Sequence, residues 1–203
     1  MFRLISAALF LGSVFFMSCQ SDNTAANTTA QPAAPTIDTT TGMPIRQPNP
    51  WKNATCDLLT DEEFCTIFSV DIKRDFANRR TLPDKSYCLS TWKKPDWRDR
   101  EVREDKNPNI AANPESALAI EIVDFGTAPS ALAQYDVTKK DRINGYDTEV
   151  PGLGDGALWS SRESMLLVKK NHLFLQIKLD HADVAADNLP KAKEVAIAAL
   201  KKM

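Results

Sequence analysis

The chain has little histidine and no surplus of either charge. Of 203 residues only two are histidine, and 25 Lys and Arg stand against 27 Asp and Glu, a formal net charge of −2. That balance gives no footprint for nucleic acid or for an anionic lipid surface. Past residue 16 no apolar run is long enough to cross a bilayer. No catalytic constellation, metal-ligand spacing or cofactor fingerprint stands in its required context, so no cofactor is expected. Two near-motifs fail on context. Gly152-Leu153-Gly154-Asp155-Gly156-Ala157 fits G-x-G-x-x-A, but a dinucleotide site needs a strand before it and a helix after it. Here a strand follows, and the glycines read as a tight turn. Asp180-His181-Ala182-Asp183 follows a strand at a turn, with the other histidine, His172, a strand's length away. It reads as a solvated turn.

What is present begins with a leader. Met1-Phe2-Arg3 precedes an apolar run of 13 residues, Leu4 to Phe16, and Met17-Ser18 leads to Cys19. Residues 1–18 read as a signal peptide, with an apolar region too short to span a membrane. Ser18-Cys19 resembles a bacterial lipobox, with Phe16 where such signals more often carry Leu. In lipoproteins the matching cysteine, here Cys19, takes a diacylglycerol and becomes the mature N-terminus. Acyl chains such as palmitate, at ~0.8 kcal/mol per buried CH₂, would then hold the protein at a bacterial membrane, on the periplasmic side or at the cell surface. An ordinary secretory signal that happens to contain a cysteine is the plainer alternative. Removing residues 1–18 takes away Arg3 and leaves 24 basic against 27 acidic residues, net −3. Residues 19–50 are the lipidated cysteine and a tether rich in Ser, Thr, Ala and Pro, charged only at Asp22, Asp38 and Arg46. That composition cannot bury enough surface to offset its ordering entropy.

Residues 51–203 form one globular domain, organised around Glu149–Leu179. Three short antiparallel strands are expected there, with turns at Arg162-Glu163 and Lys170-Asn171. Trp159 then faces Leu166, Ala157 faces Val168, Val168 faces Leu173, and Leu166 faces Leu175. One face collects Ala157, Trp159, Leu166, Val168, Leu173, Leu175, Ile177 and Leu179. The other carries Leu158, Leu167 and Phe174 among polar residues, so cover is expected on both sides. Thr60 and Glu63 spell a capping box, with a Phe64, Ile67, Phe68 stripe behind it. Ser86–Trp92 reads as a strand facing inward through Tyr87, Leu89 and Thr91 or else through Cys88, Ser90 and Trp92. Ala117–Phe125 alternates most cleanly, with Leu118, Ile120 and Ile122 on one side. A helix opens at Thr127-Ala128-Pro129 and bears Leu132 and Tyr135. Asn144-Gly145 makes a turn before a short strand, and a final helix from about Asn188 shows an Ala192, Val195, Ala196, Ala199 stripe. Lys93 to Glu115, charged and broken by prolines, reads as a solvated loop. The fold class is α+β: an antiparallel sheet with a C-terminal three-stranded meander, covered by helices as an α/β sandwich.

Cys56-Asp57-Leu58-Leu59-Thr60 before a helix, Cys88 in a strand ending at Trp92, and Val150-Pro151-Gly152-Leu153-Gly154-Asp155-Gly156-Ala157 before a meander carry a resemblance. The domain resembles secreted lipoproteins of unknown function known mainly from actinobacteria, with a PsbP-like α/β/α sandwich. The resemblance implies a disulfide between Cys56 and Cys88 and no catalytic residue. Cys65 and the charged insert after Trp92 depart from it. In an oxidising compartment one pair and one leftover thiol are expected. Cys56–Cys88 would close about 33 residues, worth roughly 3.5–4 kcal/mol from chain entropy. Cys65–Cys88 is the competing pairing. With Cys56–Cys88 paired, Cys65 is a small apolar filler.

The expected function is a membrane-anchored, extracytoplasmic binding or envelope accessory role without catalysis, its partner an envelope protein or a small ligand. Trp97, in the charged connection, is the candidate contact residue if exposed; otherwise it folds over a sheet edge. Two other classes stand beside this one. A carrier would hold an apolar ligand between helix and sheet and needs a large apolar pocket. A hydrolase built from scattered acids and hydroxyls needs a cleft that gathers His172 or His181 with carboxylates.

Overall fold

The structure is a computed structural model that describes residues 49–82, 86–106, 113–140 and 145–203. The expected signal peptide, Cys19, nearly all of the tether and Asn144 lie outside the described residues.

In chain order the elements are helix α1 (Asp61–Phe68), strands β1 (Asn78–Thr81) and β2 (Tyr87–Lys93), helix α2 (Trp97–Lys106), strand β3 (Glu115–Asp124) and helix α3 (Ala128–Lys140). Strands β4 (Tyr146–Glu149), β5 (Gly156–Ser160), β6 (Met165–Lys170) and β7 (Leu173–Asp180) follow, and helix α4 (Leu189–Leu200) closes the chain. Short 3₁₀ turns precede α1 at Thr55–Leu58 and α4 at Ala185–Asn188. All seven strands form one antiparallel sheet in the order β1-β2-β3-β7-β6-β5-β4. Helix α3 carries the chain from the centre of the sheet to its far edge. The meander β5-β6-β7 then works back until β7 pairs with β3. Their inward residues stand opposite one another: Leu118 with Leu179, Ile120 with Ile177, Ile122 with Leu175.

Helices α1 and α4 and the 3₁₀ turn before α1 cover this first face. Thr60 and Glu63 exchange the two capping-box bonds, Glu63 N–H to Thr60 Oγ1 at 3.1 Å and Thr60 N–H to Glu63 Oε2 at 2.8 Å. The cap fixes the helix phase, and Phe64, Ile67 and Phe68 are buried as a result. On α4 the small side chains of Ala192, Ala196 and Ala199 are fully buried beside Val195, which lets the helix lie close to β6 and β7. The eight meander residues expected on one face all belong to this core. Each large side chain so buried contributes roughly 1.5–3 kcal/mol. On β2 the inward set is Cys88, Ser90 and Trp92.

The second face is covered by α3, which packs on β6 and β7. Its core is small: Ala131 of α3 over Leu158, Leu167 and Phe174. Leu132 of this helix is half exposed. The phase of the helix gives the sheet Ala131 and, one turn on, Tyr135, and Leu132 points about 100° away from Ala131.

Three expectations are corrected. Lys93–Glu115 is not simply a loop, because Trp97–Lys106 is helical. Its Arg and Glu residues are good helix formers, and Asp96 pairs with Arg100 four residues on at 2.7 Å. The last hairpin turns at Asn171-His172 rather than Lys170-Asn171. Lys170 pairs with Leu173, so Val168 faces Leu175 and Leu166 faces Ile177. Asn171 takes the positive φ of 52° that a tight hairpin turn demands, and its N–H donates to Asp155 Oδ2 at 2.7 Å. A shift of two residues leaves every side chain on its expected face. The first hairpin keeps the expected register but joins Ser160 to Met165 through four residues. β1 was not expected at all.

Candidate functional site

The segment between α1 and β1 is a rigid turn built on two acids. Asp71 Oδ1 accepts from Lys73 N–H at 3.0 Å and Arg74 N–H at 2.8 Å, and Asp71 N–H donates to Asp75 Oδ2 at 2.9 Å. The Asp75 carbonyl accepts from Lys93 N–H at 2.8 Å, which docks the turn on the end of β2. Next comes Phe76, in the left-handed region at φ 54° and 63% exposed. A non-glycine residue in that region costs of order 1 kcal/mol or more, and burial of the ring does not offset it here.

The end of β2 supplies the other wall. Trp92 points into the core and Lys93 out, and the chain turns at Pro95-Asp96 into Trp97, the first residue of α2. The Trp97 ring is half-buried. It meets Phe76 edge to face at 6.1 Å, Lys93 Nζ at 5.2 Å and the Arg98 guanidinium at 4.7 Å. Trp97 therefore has partners, yet it still lines an open cleft of about 400 Å³ together with Phe76 and Arg98.

Phe68, Trp92 and His181 also line this cleft, with ring centroids 4.7 to 5.6 Å apart. His181 is held from three sides. Its backbone N–H and that of Ala182 donate to Asn188 Oδ1 at 3.3 and 2.8 Å, and its Nδ1 lies 3.1 Å from Ser116 Oγ. Burial, followed by the charges of Lys94 and Lys191, pushes its pKa below the usual histidine value, so the ring stays neutral near pH 7. Most cations of the cleft are answered: Arg74 by Asp75 at 2.7 Å, Lys93 by Glu101 at 3.1 Å and Glu115 at 3.3 Å. Lys94, only 4% exposed, points Nζ at Asp183 (3.3 Å) and Asp180 (3.8 Å). Arg98 has no carboxylate partner among the described residues and stacks on Trp97.

The other sequence candidates fall elsewhere. Cys56 and Cys88 are joined, Sγ to Sγ 2.04 Å, tying the turn before α1 to β2; Cys65 is a free thiol, half-buried against the core. The competing Cys65–Cys88 pairing is thereby removed. His172 sits in the β6–β7 turn, 3.9 Å from Asp124, at the opposite end of β7 from His181. In the glycine run, a Cβ on Gly154 would stand 2.3 Å from the Lys169 carbonyl. Asp155 there accepts from Lys169 Nζ at 3.0 Å, so the turn is packed against β6 and its acid is engaged. Ser116, beside His181, is fully buried, out of reach of a substrate as a nucleophile. The acids flanking His181 in sequence are directed at Lys94 and Arg100 instead. Phe76 and Arg98 are site residues that sequence reasoning missed. No local pattern marks them, since Phe76 meets Trp97 only through the docking of the Asp75 turn on β2. Among the described residues no helix is long and apolar enough to cross a membrane, and no group of His, Cys, Asp or Glu is placed to hold a metal ion. No family model, curated protein or solved structure matches the chain.

Proposed function

We propose that this chain is an exported lipoprotein, anchored through Cys19 to the outer side of a bacterial membrane, whose domain binds another envelope protein and does no catalysis. The likeness to secreted lipoproteins with a PsbP-like sandwich belongs to the same proposal. One observation carries the binding reading: a preorganised turn presents Phe76 to solvent in a costly conformation, beside Trp97 and an Arg98 that has no carboxylate partner among the described residues. Trp and Arg dominate the energetics of protein interfaces, and a turn already fixed in place loses little further entropy on binding. The partner surface that fits is an apolar or aromatic side chain flanked by a carboxylate, which would meet Phe76 and Trp97 on one side and Arg98 on the other.

Two measurements test it. Palmitate labelling of the wild type should vanish in Cys19→Ala, and equal labelling would count against the anchor. A photo-crosslinking residue at Phe76 should give a discrete product in intact cells, and one at Ile197, on the exposed side of α4, should not. Trp97→Ala should weaken capture of that product about 30-fold, the effect of losing roughly 2 kcal/mol of interface energy. Equal crosslinking from both positions, or no effect of Trp97→Ala, would overturn the surface.

A further inference from the structure

The second face of the sheet holds a separate cleft, of about 690 Å³, between α3 and the strands β4, β6 and β7. That volume is within the range of small-molecule sites, about 300–1,000 Å³. Its floor is apolar: Leu167 and Phe174 are buried, and the Phe125 ring packs over Phe174 at 4.5 Å, tilted by 57°. Two of its neutral polar groups are unspent. Among the described residues no protein group hydrogen-bonds the Gln176 carboxamide or the Tyr146 hydroxyl, both half-buried along the wall. Burial pushes the Tyr146 phenol up to about 12, so it remains a neutral donor. At the rim one carboxylate is shared by two cations: Arg162 lies 3.7 Å from Glu163, and Glu163 lies 3.3 Å from Lys178.

We propose that this cleft binds an uncharged, flat organic molecule that stacks on Phe125 and hydrogen-bonds Gln176 and Tyr146. A charged ligand would be desolvated over the apolar floor, and the rim cations Arg162 and Lys178, with side chains 77% and 57% exposed, stand in solvent where their attraction is screened. The proposal is independent of the Trp97 surface, because it uses the opposite side of the sheet and none of the same residues.

The test uses the full chain carrying Cys19→Ala, so that no acyl chain competes for the probe. Nile red, uncharged and flat, is titrated by fluorescence against the sulfonate dye 1-anilinonaphthalene-8-sulfonate. The expected result is one saturable Nile red site, with the anionic dye at least ten-fold weaker. Thr138→Trp, which fills the cleft from α3, should weaken Nile red at least ten-fold, and Trp97→Ala should leave it unchanged. In the wild type the side-chain amide signals of Gln176 should shift on saturation, a readout that needs no variant to fold. Absent saturation, a tighter or equal anionic dye, unmoved Gln176 signals, equal binding in a folded Thr138→Trp, or loss of binding in Trp97→Ala would each overturn the proposal.

Discussion

Leu166 and Leu167 are adjacent leucines on β6, both buried, yet they belong to different cores. Leu166 looks into the first face, where α1, α4 and the disulfide close over a continuous apolar layer from Trp92 to Trp159. Leu167 looks into a four-residue cluster under α3 that opens into a cleft. The same residue type at nearly the same exposure therefore sits in a tightly enclosed layer on one side and a thin one on the other. Burial of a side chain does not by itself give its energetic weight; what also matters is how far its surroundings can collapse when it is removed.

That contrast gives the largest expected effect. Leu166→Ala should cost roughly 4 kcal/mol in urea unfolding, and Leu167→Ala roughly 2–3 kcal/mol, because the cleft can relax around the missing atoms. Equal costs, or the reverse order, would break the comparison. Next in size is the disulfide, which clamps only the first face. Cys56→Ser with Cys88→Ser should lower stability by roughly 3.5–4 kcal/mol through the freed loop, while the folded double variant keeps its second-face cleft and binds Nile red unchanged. A loss of dye binding in that variant would show the two faces to be one cooperative unit.

The contrast also explains what could be read in advance. Alternation along β3, β6 and β7 revealed which side chains share a face, since one oily layer selects every second residue. It could not reveal the hairpin register, because a slip of two residues preserves the alternation; that choice fell to the backbone of Asn171 and its bond to Asp155. The capping box and the alanine stripe were legible because both are local. Helix α2 was not: its attachment is polar, so WRDREVREDK has no apolar period to announce it. β1 was hidden for a related reason. Its inward residue is Arg79, whose guanidinium donates to the Cys56 carbonyl at 3.1 Å and pairs with Asp61, a contact between segments far apart in sequence. The Trp97 half of the candidate surface was visible as an aromatic without a local partner. Phe76 was invisible, because its exposure follows from a turn geometry that no periodicity encodes.

His181 tests the edge of the first face with a smaller effect. Burial against Phe68 and Trp92 lowers its pKa in the folded protein, below the roughly 6.5 of an unfolded chain. Between the two values the unfolded state binds more protons, so the contribution is complete above about pH 6.5 and is lost as pH falls through the folded value. Urea midpoints measured from pH 7.5 down to 5.5 should fall in the wild type and stay flatter in His181→Gln. Parallel profiles would mean that the histidine is hydrated and the aromatic edge is not sealed.

The smallest effect separates global stability from local placement. Arg100 ties α2 to the turn after β7 through Asp183 at 2.9 Å, and it holds Asp96 as well. Hydrogen bonds from Arg100 and then Lys94 hold the Asp183 carboxyl down at about 2, so the tie persists from neutral pH far into acid and fails only as pH falls toward that value. Asp183 is largely exposed and Asp96 partly so, and solvent screening keeps such a pair under about 1 kcal/mol. Arg100→Gln should therefore barely move the urea midpoint, and it leaves Lys94 with both Asp183 and Asp180. It should still lower hydrogen-exchange protection across Trp97–Lys106, and added salt should do part of the same in the wild type. If instead Arg100→Gln cost as much as Leu167→Ala, then ion pairs would be anchoring the sheet's end as firmly as α3 anchors its second face, and apolar burial would not be what ranks the regions of this domain.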